Sequence, residues 1–475
     1  MALEPDVTAQ DMAAQQIWTR EIPFVDPVAA AMRLRRWPGL AFLDSAMRHD
    51  TLGRVSILAA DPFARFRFRD GRATLDGRPV PGGPMAALRA CLAPYRLEAE
   101  SGETFSGGAI GYCAYDLGQA LERVVAPARR AGLTDDAAFD LHDVALTVDH
   151  GAGTCRLAAT GFPETDPARR EVRARVRLAA FADCLAGAAP EPAAPPAFAA
   201  PPTWHSNFTR AGYEAAVERV RDYIRAGDIY QANIAQRFTA ALPEGFDRFA
   251  FYRALRETNP ATFGAYLEFD GLTVASSSPE RFLKLEAGQV ETRPIKGTLA
   301  RSDDPVEDAA RAARLLGDPK ERAENTMIVD LLRNDLSRVC APGSVRVPVL
   351  CGLESYAGIH HLVSVVTGTL RDGLDGFDLL ERTFPGGSIT GAPKLRAMDI
   401  ITEIEGDARE LYCGAIGRIG FDGSIDTSIA IRTVFMDATT AVLQAGGGVT
   451  LLSDPAAEYD ETLTKAARVF QAFEA

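Results

Sequence analysis

The sequence predicts an α+β fold. Three observations predict it: capped helices and short apolar strands alternate over residues 206–475, a two-residue turn signal marks an antiparallel hairpin, and the strand–helix–strand rhythm of a parallel sheet is missing. Strands are expected over 109–112 and 143–148. Tyr213, Val217, Val220 and Ile224 recur at helical spacing, and Gly227 ends that run. Asp304-Pro305-Val306-Glu307 sets an N-capping Asp before a Pro at the first helical position. Asp318-Pro319-Lys320-Glu321 repeats the signature. A further helix is expected from Pro393 to near Gly406, and a last one after Asp454-Pro455 towards Phe470. Between them, strands over 414–421 and 427–434 flank Asp422-Gly423, a hairpin turn.

Residues 187–202 read GAAPEPAAPPAFAAPP, which cannot hold a helix or a central strand. They split the chain into an N-terminal part with few groups capable of chemistry and a C-terminal part where polar residues cluster at element junctions. Function is expected in the second. Composition narrows the class. The 475 residues carry a net charge of -13, so a basic nucleic-acid footprint is missing. No apolar run is long enough for a membrane span, and residues 1–16 carry acids and no apolar core, unlike a signal peptide. Seven scattered cysteines without a CxxC pair argue against a zinc site and a disulfide framework. A soluble, cytoplasmic protein is expected.

Several constellations could carry chemistry. Glu321 and Glu324 lie three apart on one expected helix, and Glu458 and Glu461 on another, so each pair shares a face. If the two helices met, four hard oxygen ligands would suit Mg²⁺. As acids near helix starts, they could equally be capping groups in solvent. The glycine-rich stretch 384–394 leads into a helix and could present backbone N–H groups to an anion, as could Gly446-Gly447-Gly448. Ordinary tight turns would explain either. Arg432 sits in an apolar strand-like run and needs a carboxylate partner, from the protein or from a ligand. Lys465 could simply pair with Glu461 at i,i+4, and Lys296 could be a turn lysine.

Together these segments are more specific than any one alone. Ser278-Pro279-Glu280-Arg281-Phe282, residues 293–298 (RPIKGT), Ala323-Glu324-Asn325 with Arg333-Asn334-Asp335, and residues 384–394 resemble the chorismate-utilising enzymes. So do Tyr412-Cys413-Gly414-Ala415-Ile416-Gly417, Ile431-Arg432-Thr433, residues 444–448 and Asp460-Glu461-Thr462, and residues 107–118 (GGAIGYCAYDLG) extend the match into the N-terminal part. That family holds the large subunits of anthranilate and aminodeoxychorismate synthases and the isochorismate and salicylate synthases. The resemblance implies a large antiparallel sheet sandwich with helices packed outside. It further implies an N-terminal domain over 1–186, a linker over 187–205 and a chorismate-binding domain over 206–475.

It also assigns roles. Glu324 and Glu461 would ligate Mg²⁺, with Glu321 and Glu458 beside them, and the ion would bridge to a substrate carboxylate. Tyr412, Arg432, Gly446, Gly447, Gly448 and Lys465 would hold the other carboxylate. Gly297, Thr298, His361 and Thr390 would line the ring. Glu280 would be the general acid for the departing 4-hydroxyl, its pKa raised by burial.

Two positions distinguish the branches. In the water-adding members a lysine follows the Tyr-Gln-like pair; here Tyr230-Gln231 is followed by Ala232, so that base is missing. Lys296 stands where the anthranilate branch has Ala, and resembles the branch making 4-amino-4-deoxychorismate. That branch's amine would attack carbon 2 and expel the 4-hydroxyl; ammonia would then attack carbon 4 and expel the lysine. The resemblance thus implies a step toward 4-aminobenzoate and folate. Ammonia would come from a separate glutamine amidotransferase subunit, and a lyase would take the product. No nucleic-acid or membrane partner is implied. The rivals are the anthranilate-forming subunit and a non-catalytic regulatory subunit. Residues 43–45 and 52–55, with Ser45 and Arg54, and residues 260–263 fall where some members hold tryptophan.

Overall fold

In a computed structural model of the chain, residues 16–47, 52–98, 105–187, 202–356 and 358–474 are described. Two twelve-stranded antiparallel sheets form the body. In the first, Ala41–Asp44 from the N-terminal part pairs with Phe263–Phe269, which continues through Leu272–Ser278, Thr433–Met436 and Thr440–Val449 to Gln231–Ala241. In the second, Gly108–Cys113 pairs with Ala415–Gly420, followed by Ile425–Ile429 and Arg281–Glu286. Both sheets therefore run through strands from either side of residues 187–205. The two parts share one sandwich rather than owning separate sheets. Of the linker expected over 187–205, residues 188–201 lie outside the described residues, while His205 already pairs with Thr239; of the segment 1–16 read for targeting, residues 1–15 lie outside.

The alternation of side chains along each strand makes the layers. Ile57, Ile110, Val274, Ile416, Phe435 and Val442 face inward from both sheets and are buried against one another. The outer face of the first sheet is covered by the helices Arg248–Thr258 and Pro455–Ala472 in a cluster that includes Phe251, Tyr252, Val469 and Phe473. Pro319–Ser337 and Gly376–Thr383 cover the second through Ile328, Leu332, Leu379 and Leu380.

The helix signals operate as expected. Asp304, Asp318 and Asp454 each cap a helix, at Pro305–Gly317, Pro319–Ser337 and Pro455–Ala472, accepting from backbone N–H groups of the first turn. Lys394–Glu405 ends at Gly406, whose φ of 69° is the left-handed cap. The hairpin at Asp422-Gly423 forms between Ala415–Gly420 and Ile425–Ile429. One expectation is corrected. The strand expected over 427–434 is two strands: Ile425–Ile429 lies in the second sheet and Thr433–Met436 in the first. The chain crosses between sheets at Ala430-Ile431-Arg432, where Arg432 takes a φ of 53°. Both strands are buried on each face, so the apolar run carries no mark of the crossing. Among the described residues no helix is long and apolar enough to cross a membrane.

Candidate active site

Glu280, two residues past the end of Leu272–Ser278, is pinned by the strand that follows the hairpin. Its carbonyl accepts from Ile429 N at 3.0 Å, and the Ser278 hydroxyl donates to the Ile429 carbonyl at 2.6 Å. The side chain is 6% exposed. Burial pushes its carboxyl up to about 7, against opposing hydrogen bonds from the Ser388 side chain and the Ile295 backbone and the charge of Lys296. The Lys296 ammonium donates to the Ser388 carbonyl at 3.2 Å. An acid, an amine and the glycine-rich loop thus meet at Ser388.

Gly297 follows with a φ of 81°, and a Cβ there would lie 3.1 Å from Glu321 Oε2. Only glycine lets the strand Ile295–Ala300 lie this close to the carboxylate helix. Thr298 faces His361 across the strand pair, with Oγ1 2.9 Å from Nδ1. Burial first, then the charge of Arg432, pulls His361 down to about 4, so the ring is neutral at pH 7. Thr390 is fully buried; its hydroxyl donates to the Gly386 carbonyl at 3.1 Å, and its own carbonyl accepts from Asn233 N at 2.8 Å.

Arg432 sits at the crossing between sheets. Burial lowers its pKa, the neighbouring Tyr412 opposes this, and no carboxylate among the described residues lies within ion-pair distance. A desolvated guanidinium without a counter-ion is costly, so this position favours a carboxylate brought by a ligand. Gly446-Gly447-Gly448 runs antiparallel to Asn233-Ile234-Ala235. A Cβ on Gly447 would meet Glu458 Oε2 at 3.1 Å, Glu461 Oε1 at 3.5 Å and Lys465 Nζ at 3.5 Å, so the bare backbone admits all three charges. Lys465 pairs with Glu461 at 2.6 Å and donates to the Gly446 carbonyl at 2.9 Å; the expected i,i+4 pair and the link to the glycine strand are one arrangement.

The two carboxylate pairs come from helices that sense each other's charge. Burial raises Glu321, Glu324 and Glu458; the Glu461 charge adds to Glu321, and the Glu458 charge to Glu324. Burial also works on Glu461, but Lys465, Lys320 and Lys296 outweigh it and leave the group below its usual range. Lys320 Nζ stands 3.9 Å from Glu324 Oε1, and Ser453 donates to Glu458 at 2.6 Å. Among the described residues, no three Asp, Glu, His or Cys side chains close tightly enough to enclose a metal ion by themselves.

Two residues here carried no usable sequence signal, and a third, Gln231, entered the sequence reading only as a member of the Tyr230-Gln231 pair. Ser388 is one hydroxyl in a glycine-rich loop. Arg409, 1% exposed, forms a pair with Glu405 whose i,i+4 spacing reads as a solvated helix face. Gln231 is buried with an Oε1 that has no partner among the described residues. Ser45 and Arg54 lie away from the site, in a separate cavity between the sheets that Phe263 and Arg281 also line.

A profile of the chorismate binding enzymes matches residues 42–471, and the chain belongs to that family. Among its relatives, aminodeoxychorismate synthase component 1 of Klebsiella aerogenes is 40% identical over 92% of this chain and 94% of that protein. Anthranilate synthase component 1 of Aquifex aeolicus is 39% identical over 78% of this chain and 75% of that protein. Among solved structures, anthranilate synthase component I from Streptococcus pneumoniae TIGR4 superposes with a TM-score of 0.77 at 32% identity, covering 88% of this chain and 92% of that one. The chain is a chorismate-utilising enzyme whose relatives lie in two branches.

Proposed function

We propose that this enzyme forms 4-amino-4-deoxychorismate from chorismate and ammonia. The observation that carries the proposal is the meeting of Lys296 and Glu280 at Ser388. A buried carboxylic acid that keeps its proton near neutrality can hand it to the leaving 4-hydroxyl. An amine beside it can attack carbon 2 as that bond breaks, leaving the ring joined to Lys296 and releasing water. Ammonia attacking carbon 4 then forms the new C–N bond and expels the lysine amine. Arg432, Tyr412 and the Gly446–Gly448 backbone hold one substrate carboxylate. His361, being neutral, can contact the ring side without repelling Arg432.

The donor set fits Mg²⁺, which commonly takes one or two protein carboxylates and leaves its other positions to substrate and water. Glu324 and Glu461 would hold it, with Glu321 and Glu458 beside them, and it would neutralise the second substrate carboxylate. Supply of ammonia by a separate amidotransferase subunit and removal of product by a lyase complete the proposal.

Product analysis tests it: the purified chain is incubated with chorismate, Mg²⁺ and ammonium. The proposal expects 4-amino-4-deoxychorismate without pyruvate. Anthranilate with pyruvate assigns the enzyme to the other branch, and no turnover points to a regulatory subunit.

Two further outcomes follow from the site. Because Glu280 must be protonated to act, kcat/KM should fall as pH rises through about 7. Glu280→Gln cannot donate that proton and should lose turnover by about 10²–10⁴-fold below about pH 7, with a flat pH profile and a deficit that narrows as wild type loses its proton. An alkaline limb that survives in Glu280→Gln would assign the titration elsewhere. Arg432→Met removes a partly buried charge that lacks a carboxylate partner among the described residues. It should raise KM for chorismate by about 100-fold while leaving Tm unchanged or higher. A large fall in Tm would mean that Arg432 serves the fold instead.

A further inference from the structure

The segment 107–118, GGAIGYCAYDLG, belongs to the N-terminal part yet ends beneath the turn that carries Tyr412. Tyr115 N donates to the Glu410 carbonyl at 2.7 Å, and the Asp116 carboxylate accepts from Glu410 N at 2.7 Å. This bracket holds a backbone under strain: Glu410 has a φ of 51° and Cys413 a φ of 63°, with Tyr412 between them. Next to it, Arg409 is a buried hub. Its guanidinium donates to the Ile389 carbonyl at 3.2 Å and the Asn233 carbonyl at 2.7 Å, and meets Glu405 at 2.6 Å. The Tyr115 ring lies 4.8 Å from that guanidinium and the Tyr412 ring 5.7 Å. Arg409's own carbonyl accepts from Gln444 at 2.8 Å, two residues before Gly446. One fork thus ties together the Thr390 loop, the strand Gln231–Ala241, the glycine strand and Tyr412.

We infer that Asp116, Tyr115 and Arg409 are positioning residues for the substrate clamp, so that the N-terminal part sets the geometry of a site it does not line. The inference rests on the proposed chorismate reaction, in which Tyr412, Thr390 and the Gly446–Gly448 backbone contact substrate. The three act through those groups and touch no substrate atom. A clamp that binds ground and transition states alike shows itself in KM.

The test compares Asp116→Ala with Asp116→Asn, whose side-chain oxygen can still accept from Glu410 N. Asp116→Ala should raise KM for chorismate about tenfold with kcat changed less than about threefold, and Asp116→Asn should return KM towards wild type. Hydrogen exchange on the folded proteins supplies a readout that needs no turnover: amides of 409–414 and 388–390 should exchange faster in Asp116→Ala and not in Asp116→Asn. If Asp116→Ala does not fold, Tyr115→Leu removes the ring from Arg409, whereas Tyr115→Phe keeps it. The same KM rise is then expected in Leu and its reversal in Phe. A lowered Tm with KM unmoved and exchange unchanged overturns the inference, leaving these residues as scaffold. Should wild type leave chorismate untouched, the proposed function fails, and the exchange pattern alone decides whether the segment holds the turn.

Discussion

Lys296→Ala should lose 4-amino-4-deoxychorismate formation by about 10³-fold, because Lys296 is the amine whose charge reaches Glu280 among the described residues. The loss should come without unfolding. Lys296 is half-buried and donates to the Ser388 carbonyl, a hydrogen bond whose removal costs about 1 kcal/mol. The rest of the site stays in place, so Glu280 can still protonate the 4-hydroxyl. At high ammonium, ammonia itself should then attack carbon 2, and some product should carry nitrogen at position 2. Lys296→Arg should not rescue, since a guanidinium stays protonated and is a poor nucleophile. Product formation by Lys296→Ala at the wild-type rate would reduce the lysine to a binding group.

Glu324→Gln and Glu461→Gln should each lower turnover by at least about 100-fold, because a dianionic substrate meets uncompensated negative charge once the cation is lost. Burial and the neighbouring Glu321 and Glu458 raise the Glu324 carboxyl, so Glu324→Gln should hold or raise Tm, whereas Glu461 is held below its usual range by lysines and pairs with Lys465 at 2.6 Å, so Glu461→Gln should lower Tm slightly. Adding Mg²⁺ should raise the wild-type Tm and leave both variants unmoved, since only a protein that binds the ion is stabilised by it. Full activity in excess EDTA, or in either variant, would contradict the metal assignment.

What the sequence showed and what it hid divide along one physical line. Helix starts at Asp304, Asp318 and Asp454 were legible because capping is decided within four residues. The Asp422-Gly423 hairpin was legible for the same reason. The split of 427–434 was not, because strands buried on both faces lose the period-two pattern that would locate a break. Pairing of Glu321 with Glu324, and of Glu458 with Glu461, followed from spacing. That the two helices sense each other is a long-range fact, visible only once the sheets bring them near. Arg409 and Ser388 were hidden because burial, not residue type, makes them matter. Lys296 was ambiguous by its neighbours and gained its role by resemblance; its place beside Glu280 supports that role through geometry.

In the proposed reaction the amine of Lys296 bonds to the substrate ring. Mass spectrometry of the wild-type chain, incubated with chorismate and Mg²⁺ without ammonia and then quenched, measures this directly. The expected result is a chain heavier by chorismate less one water, with the modification on the peptide containing Lys296 and its loss on adding ammonium. An unmodified chain that nevertheless forms 4-amino-4-deoxychorismate when ammonium is added would contradict it.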